Sequence, residues 1–160
     1  MKMKKITKFI SFILLNAALF AVVYGGLYYF EVGVTPSVTI ISKEKNTENK
    51  FFVRLAKTSE EQAKGLMNVE SMPKDEGMFF IFEDVGMRAF WMKNTYIPLD
   101  IIFINENGDI VHIDKNRQPL DETPKGAKVP VKAVLEINGG LSDALGIKNG
   151  DNVKHKIFKK

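Results

Sequence analysis

The stretch LDIIFINENGDIVHID, residues 99–114, decides the fold of the chain. It holds two apolar runs, residues 99–104 and residues 110–114, which Asn107-Gly108 separates. An Asn-Gly pair between two apolar runs is the strongest short-range signal for a β-hairpin, because the favoured tight turn needs a positive φ at both central residues. The sequence therefore predicts an antiparallel hairpin here.

Short strands and turn signals continue on both sides of this hairpin. Further strands are predicted around residues 38–40, 51–56, 77–82, 89–92, 133–138 and 153–158, with polar loops at 43–50 and 116–130. Thr58-x-x-Glu61 fits a capping box that opens a short helix, and residues 141–145 suit one further helical turn. This pattern predicts a mainly β fold, a compact jelly-roll-like sandwich or barrel with one or two short helices.

The N-terminus carries a candidate membrane anchor. Residues 9–30 contain no charged side chain, and at ~1.5 Å per residue they are long enough to span the ~30 Å hydrocarbon core as a transmembrane helix. Four lysines precede this segment and Glu31 follows it, which predicts a cytoplasmic N-terminus and an exported domain. The predicted organisation is a basic N-terminus (1–8), a transmembrane signal anchor (9–30), a spacer (31–37) and a β-rich extracytoplasmic domain (38–160).

The alternative for residues 9–30 is a cleaved signal peptide, which would leave the domain secreted or periplasmic. Leu19-Phe20-Ala21 matches an A-x-A-like cleavage site poorly, and hydrophobicity continues well beyond it. A retained anchor is therefore favoured, and a single-pass protein of the cell membrane is expected. Both interpretations export the domain.

Charge and composition exclude several classes of function. Four of the 23 basic residues precede the apolar segment, so residues 31–160 carry 19 basic and 19 acidic side chains. Such a balanced domain has no overall positive field to attract phosphate, and nucleic acid is not an expected partner. The chain has no cysteine, which excludes disulfides, zinc–thiolate sites and thiol catalysis. No G-x-S-x-G motif is present, which disfavours serine hydrolysis. No phosphate-cradling glycine loop is present either, and no cofactor is expected.

Several motifs together resemble one family. They are Gly65-Leu66-Met67, Glu76-Gly77-Met78-Phe79-Phe80, Phe90-Trp91-Met92-Lys93-Asn94-Thr95, Pro98-Leu99-Asp100, Leu135-Glu136 with Gly139-Gly140, and Gly150-Asp151. In this order they resemble the bacterial and archaeal domain of unknown function 192 family over residues 51–153. The resemblance implies a compact β-rich, jelly-roll-like fold with a small helix, often exported, and implies no activity. Lys64 stands where the family more often has arginine, so an arginine-specific bidentate contact is not implied there.

The segment 90–100 is the best candidate for a binding surface. It brings together an indole, an ammonium, an amide, a hydroxyl and a carboxylate, from Trp91, Lys93, Asn94, Thr95 and Asp100. This set could stack on and hydrogen-bond a sugar-like ligand. The favoured alternative is structural, since Trp91 and Met92 can fill a core while the polar side chains bond the backbone of a turn.

Two carboxylates are the candidates for catalysis. Glu136 lies inside an apolar strand, and with Asp100 it could form an acid/base pair of the glycosidase kind. A salt bridge from Glu136 to Arg54 or Arg88 is the more ordinary expectation. Whether the protein is an enzyme is therefore left open, and a noncatalytic function is favoured.

Methionine is unusually dense between Met67 and Met92, where five thioethers occur in 26 residues. Soft sulfur in an exported domain suggests Cu(I), but methionine is also a flexible core filler. Packing accounts best for Met67, Met78 and Met92. Met72 and Met87 flank loops and are the open candidates, and no metal site is predicted.

The leading hypothesis is a membrane-anchored, noncatalytic binding or interaction module of the cell envelope. Its ligand surface would be lined by the segment 91–100 and the loop 116–130. The ligand-binding candidates are Trp91, Lys93, Asn94, Thr95, Asp100 and Glu136. The alternatives are a carbohydrate-active hydrolase that uses Asp100 and Glu136, and a Cu(I)-handling protein.

Overall fold

Strands dominate the computed structural model, which describes residues 35–158. Its elements are β1 (Ser37–Ser42), β2 (Thr47–Ala56), α1 (Ser59–Lys64), β3 (Glu76–Gly86), β4 (Ala89–Phe90), β5 (Leu99–Ile104), β6 (Ile110–Arg117), β7 (Lys125–Gly126), β8 (Val131–Asn138), α2 (Leu141–Leu145) and β9 (Asn152–Lys154). Seven strands form one sheet in the order β6-β5-β8-β3-β2-β1-β9, and β4 pairs with β7 in a second, two-stranded sheet. The mainly β class with two short helices is confirmed.

The large sheet curls until its two edge strands meet at one end. The Ile110 N–H donates to the Asp151 carbonyl over 2.8 Å, and the Val153 N–H donates to the Gly108 carbonyl over 2.7 Å. Gly108 has a φ of +84°, and a Cβ there would lie 2.8 Å from the Val153 oxygen, so both the turn and this close approach require glycine. The result is one curled half-barrel, which is nearer to the barrel than to the two facing sheets of the sandwich among the two predicted forms.

Both faces of this sheet are buried. The inner core lies within the curl and includes Ile40, Phe51, Phe79 and Leu135. The outer core lies on the opposite face, and its buried members include Phe80, Met92, Phe103 and Val134. A strand that is covered on both faces needs an almost continuous apolar run, which is why β5 is buried at all six positions.

The predicted hairpin is confirmed. Strand β5 pairs antiparallel with β6, including Ile102 opposite Ile113. In the connection, the Asn105 side-chain oxygen accepts hydrogen bonds from the backbone N–H groups of Asn107 and Asp109, each over 2.9 Å. Of the Asn-Gly pair only Gly108 has a positive φ, so the connection is not the two-residue turn that this pair favours. It spans residues 105–109, and the Asn105 side chain helps to hold it.

The start of α1 is also confirmed. Thr58 and Glu61 form both hydrogen bonds of a capping box, since each side chain accepts from the other residue's backbone N–H. The helix ends at Gly65, whose φ is +47°. It lies in the connection between β2 and β3, and these two strands pair in parallel, a crossover that the sequence analysis did not anticipate.

The predicted loop at residues 43–50 was too long. Residues 47–50 belong to β2 and pair with β1, for example Glu48 with Ile41. Their side chains are polar because most of them face solvent, so hydrophobic alternation does not mark this part of the strand.

The predicted transmembrane anchor at residues 9–30 lies outside the described residues. Among residues 35–158, neither helix is long and apolar enough to cross a bilayer.

Candidate functional site

A cleft of about 320 Å³ opens beside the outer core. It lies between the end of α1, the strand β8 and the segment that follows β3. Its lining includes Gln62, Lys64, Gly65, Met67, Phe80, Phe82, Arg88, Phe90, Trp91, Lys93, Thr95 and Glu136. We call it the Glu136 cleft. Its volume is at the lower end of the ~300–1,000 Å³ that is usual for small-molecule sites.

Glu136 is the buried acidic group of this cleft. The strand register places it beside Met78 of β3 on one side and Ile101 of β5 on the other. Its residue surface is only 4% exposed, and its Oε2 atom has no hydrogen-bond partner among the described residues. An unpaired buried carboxyl oxygen destabilises the fold, because it has lost water without gaining a donor. Such groups are rare in folded proteins, and a bound water, ion or ligand is one way in which their hydrogen bonds are completed.

Burial raises the pKa of Glu136 to about 8, since removal from water disfavours the carboxylate, while the positive charge of Arg54 opposes this shift. The expected salt bridge to Arg54 or Arg88 is not formed. Arg54 lies within electrostatic range only, and Arg88 pairs with Asp84 over 2.6 Å. Because this pKa lies above 7, the neutral carboxyl group, which carries a hydrogen-bond donor, is the favoured form at neutral pH.

One wall of the cleft comes from the segment that runs from Phe90 to Thr95. The Phe90 ring contacts Phe80 and Phe103 edge-on, with centroids 4.9 and 5.9 Å away. This anchor leaves Trp91 46% exposed at the mouth, so the expectation that Trp91 fills the core was wrong. Met92 is fully buried, as the structural alternative predicted.

The rest of this segment forms a tight turn. The Thr95 N–H donates to the Met92 carbonyl, and the Thr95 hydroxyl donates to the Lys93 carbonyl over 3.2 Å. Asn94 has a φ of +51° and is exposed, and its carbonyl accepts from the Asn68 N–H. Thr95 lines the cleft, whereas Asn94 does not. Turn chemistry thus accounts for Asn94 and Thr95, and it also fixes the position of Trp91 and Lys93.

Arg117 supports this wall from behind. Its guanidinium is buried and bonds the Asp114 carboxylate over 2.8 Å, the Thr123 carbonyl over 2.8 Å and the Phe90 carbonyl over 3.4 Å. The predicted rim loop, residues 116–130, contributes no residue to the cleft lining. Its role is to back the wall, since the Met92 N–H donates to the Asp121 carbonyl in this loop.

Asp100 does not share the cleft with Glu136. Register pairs Glu136 with Ile101 and Asp100 with Ile137, so the two carboxyl groups project from opposite faces of the sheet. Asp100 is fully buried and accepts backbone hydrogen bonds of 2.7–2.9 Å from Asn116, Gly140 and Ser142. The structure therefore does not bring together the acid/base pair that the hydrolase hypothesis requires. Asp100 instead ties β6 and the start of α2 to β5.

Comparison with known proteins identifies the family. The model of DUF192, described as an uncharacterized ACR, matches residues 40–155. The chain belongs to the DUF192 family. This confirms the resemblance carried by the Trp91–Thr95 and Pro98–Asp100 motifs. No curated protein matches the chain.

Two solved structures share the fold of this DUF192 domain. A protein of unknown function from Novosphingobium aromaticivorans DSM 12444 is 42% identical, with a TM-score of 0.73, and the match covers 84% of this chain and 96% of that one. A protein from Sinorhizobium meliloti 1021, named as a candidate transcription regulator, is 36% identical, with a TM-score of 0.72, and the match covers 74% of this chain and 91% of that one.

The copper hypothesis depended on Met72 and Met87. Met72 is buried in the outer core, whereas Met87 is 58% exposed, so the surface of this DUF192 domain does not present them as a pair. Within residues 35–158, no three histidine, aspartate or glutamate side chains are grouped to hold a metal ion.

Sequence reasoning missed two cations of the Glu136 cleft as site residues. Lys64 precedes the Gly65-Leu66-Met67 motif, and this neighbouring motif was the signal that could have placed it in the site. In the sequence, Lys64 stood out only as a departure from the family pattern. Arg88 was considered only as a salt-bridge partner, but it lies over the Phe82 ring, 4.4 Å from its centroid. With Lys93, these residues give the cleft a positive rim.

Iodide quenching should report this positive rim, because Trp91 is the only tryptophan of the chain. We expect replacement of both Lys64 and Lys93 by glutamine to lower the iodide quenching constant about two-fold at low ionic strength, since the local anion concentration falls. Steady-state fluorescence at pH 7 measures this. Acrylamide, which is neutral, should quench the double variant and the wild type equally.

The matched control is Lys50→Gln, which removes a lysine that lies over Phe52 outside the cleft. This variant should quench like the wild type. If the double variant changed acrylamide quenching as much as iodide quenching, the lysines would control the exposure of Trp91, and the electrostatic explanation would be wrong.

Proposed function

We propose that this DUF192 chain is a noncatalytic binding module of the cell envelope, anchored in the membrane through residues 9–30, and that its ligand occupies the Glu136 cleft. One observation carries the binding function. A carboxyl group with an unpartnered oxygen lies buried at a cleft whose mouth holds an exposed indole. A ligand that reached this carboxyl group and supplied the missing hydrogen-bond partner would relieve the penalty of that burial.

The envelope location rests on the N-terminal sequence. The uncharged segment 9–30 and the four lysines before it support a single-pass anchor with the N-terminus in the cytoplasm and the domain outside. Protease added to intact spheroplasts should then remove an epitope tag placed after Lys160. A tag that is degraded only after lysis would contradict the exported topology.

A noncatalytic function is favoured over a hydrolase. A carboxyl group with a pKa of about 8 could serve as a general acid, but Glu136 is the one carboxyl group among the described lining residues. Glycoside hydrolysis by acid/base catalysis ordinarily needs a second carboxylate across the scissile bond. Asp100 cannot supply it from the opposite face of the sheet.

The name of the Sinorhizobium relative raises nucleic-acid binding as another function. The charge of this chain does not support it, because residues 31–160 carry equal numbers of basic and acidic side chains. A DNA-binding domain usually carries a marked basic excess on one face. A small polar ligand suits the Glu136 cleft, with its volume of about 320 Å³, better than a duplex does.

The binding function is tested by titration of the full chain with envelope sugars, peptidoglycan fragments and Cu(I). We expect at least one sugar or peptidoglycan fragment to change the Trp91 emission and to raise the thermal midpoint by several degrees, since a ligand at 100 times its Kd adds about 2.7 kcal/mol to stability. Trp91→Ala should abolish the thermal response. Tyr96→Ala is the control, because Tyr96 is an exposed aromatic side chain of the same segment outside the lining.

The proposal is contradicted if the whole panel leaves both the Trp91 emission and the thermal midpoint unchanged. A response to Cu(I) alone would contradict it as well and would favour metal handling.

A further inference from the structure

The mouth of the Glu136 cleft combines an exposed aromatic side chain with a positive charge. Trp91 exposes nearly half of its surface, and the Lys93 Nζ atom lies 5.3 Å from the centroid of its ring. A flat indole of this kind can stack against the C–H face of a ring-shaped ligand. A ligand that stacked there would also lie within reach of the Lys93 ammonium group.

Two of the three cations around the cleft are available to a ligand. Arg88 is already neutralised by Asp84 at 2.6 Å. Lys64 and Lys93 form no ion pair with any residue in the range 35–158. The cleft therefore presents two ammonium groups that no carboxylate within residues 35–158 neutralises, one of which, Lys93, lies over the Trp91 ring. These charges favour a ligand that carries negative charge.

Glu136 adds a hydrogen-bond donor below this rim. Arg54 on β2 is the charged group whose field acts on Glu136, and β5 contributes the apolar Ile101 beside it. The charged side chains that share the cleft lining with Glu136 are also cations, namely Lys64, Arg88 and Lys93. Because burial keeps its carboxyl group protonated at pH 7, Glu136 does not repel an anion there. It can instead donate to a hydroxyl or carboxylate oxygen.

Resting on the proposed binding function, we propose that the Glu136 cleft binds an acidic sugar, with its ring against Trp91, its carboxylate between Lys64 and Lys93, and one of its oxygens accepting a hydrogen bond from Glu136. The cleft volume of about 320 Å³ suits one sugar ring with its substituents. A free monosaccharide or one unit of a polysaccharide would satisfy this chemistry.

The inference is tested by fluorescence titration of the full chain with D-glucuronate, D-glucose and acetate at pH 7. Glucose has the ring without the carboxylate, and acetate has the carboxylate without the ring. We expect glucuronate to bind at least ten-fold more tightly than either. Lys93→Gln should weaken glucuronate binding about ten-fold, whereas Lys50→Gln, which alters the lysine–aromatic pair outside the cleft, should leave it unchanged.

The pH dependence gives a second readout of the same geometry. Glucuronate affinity should fall between pH 7 and pH 9 in the wild type, as Glu136 loses its proton and becomes an anion in the cleft. In Glu136→Gln the side chain stays neutral, so the affinity should change by less than two-fold over this range.

Each result has a distinct meaning. Equal binding of glucose and glucuronate would overturn the acidic class, and equal binding of acetate would overturn the sugar. If another member of the envelope panel bound in a Trp91-dependent manner while glucuronate did not, this inference would fail and the proposed binding function would stand. If nothing in the panel bound, both would fail.

Discussion

Replacement of Glu136 by glutamine is expected to remove about 5 kcal/mol of pH-dependent destabilisation. In the unfolded chain an ordinary glutamate carboxyl has a pKa of 4.5, and burial raises the pKa of Glu136 to about 8 in the folded state. Between these values the folded protein keeps a proton that the unfolded chain releases, so stability falls as pH rises. Below pH 4.5 the carboxyl group is protonated in both states and does not lower the stability. From pH 4.5 to pH 8 the free energy of unfolding falls by about 1.4 kcal/mol per pH unit.

Urea denaturation at a series of pH values from 5 to 9 measures this effect. The unfolding free energy of Glu136→Gln relative to the wild type should rise with pH and level off above pH 8. Glu70→Gln is the control, because it makes the same carboxyl-to-amide change at an exposed position outside the cleft. A constant difference for Glu136→Gln would mean that the buried carboxyl does not hold its proton.

Replacement of Asp100 by alanine should destabilise the domain by about 4 kcal/mol. The substitution leaves three backbone N–H groups without their acceptor, those of Asn116, Gly140 and Ser142, in the region where β5, β6 and α2 meet. Each buried unsatisfied donor costs about 1–3 kcal/mol. Asp100→Asn should be intermediate, because its amide retains one acceptor oxygen.

Thermal unfolding followed by circular dichroism checks this, with an expected drop in Tm of about 10 °C for Asp100→Ala. Asp143→Ala is the matched control, because Asp143 lies in α2 but is exposed and pairs only with Lys115, so its loss should cost no more than about 1 kcal/mol. Similar destabilisation by the two variants would rule out the buried network. Ligand binding in the Glu136 cleft should survive Asp100→Asn, since Asp100 lies on the opposite face.

Local signals predicted the local parts of the fold. Asn107-Gly108 and the Thr58–Glu61 capping box are signals that act within a few residues, and the hairpin and the helix start that they predicted are both present. The hairpin connection is longer than a two-residue turn, because only Gly108 of the pair has a positive φ. The parallel pairing of β2 with β3 and the meeting of β6 with β9 involve residues far apart in the chain. No turn or periodicity signal encodes these contacts, so the curl of the sheet could not be predicted.

The candidate site was predicted only in part, again because contacts between residues far apart in the chain complete it. The sequence singled out Trp91, Lys93, Thr95 and Glu136, and these four line one cleft. Whether Asp100 joined Glu136 depended on strand register, and a register shift of one residue reverses the face of every side chain. Trp91 was assigned to the core because of its apolar character. Phe90 takes that place, and the choice between adjacent aromatic residues depends on the packing of Phe80 and Phe103.

The last strand has a consequence for the timing of synthesis. Strand β9 pairs with β1 along one edge, and its neighbourhood meets the start of β6, while Val153 and Phe158 complete the inner core. Until these residues have been translated, β1 lacks one partner and the curl stays open at its seam. Residues as far along as Phe158 must therefore be synthesised before the domain can close, and a nascent chain that stops short of them holds an open seam.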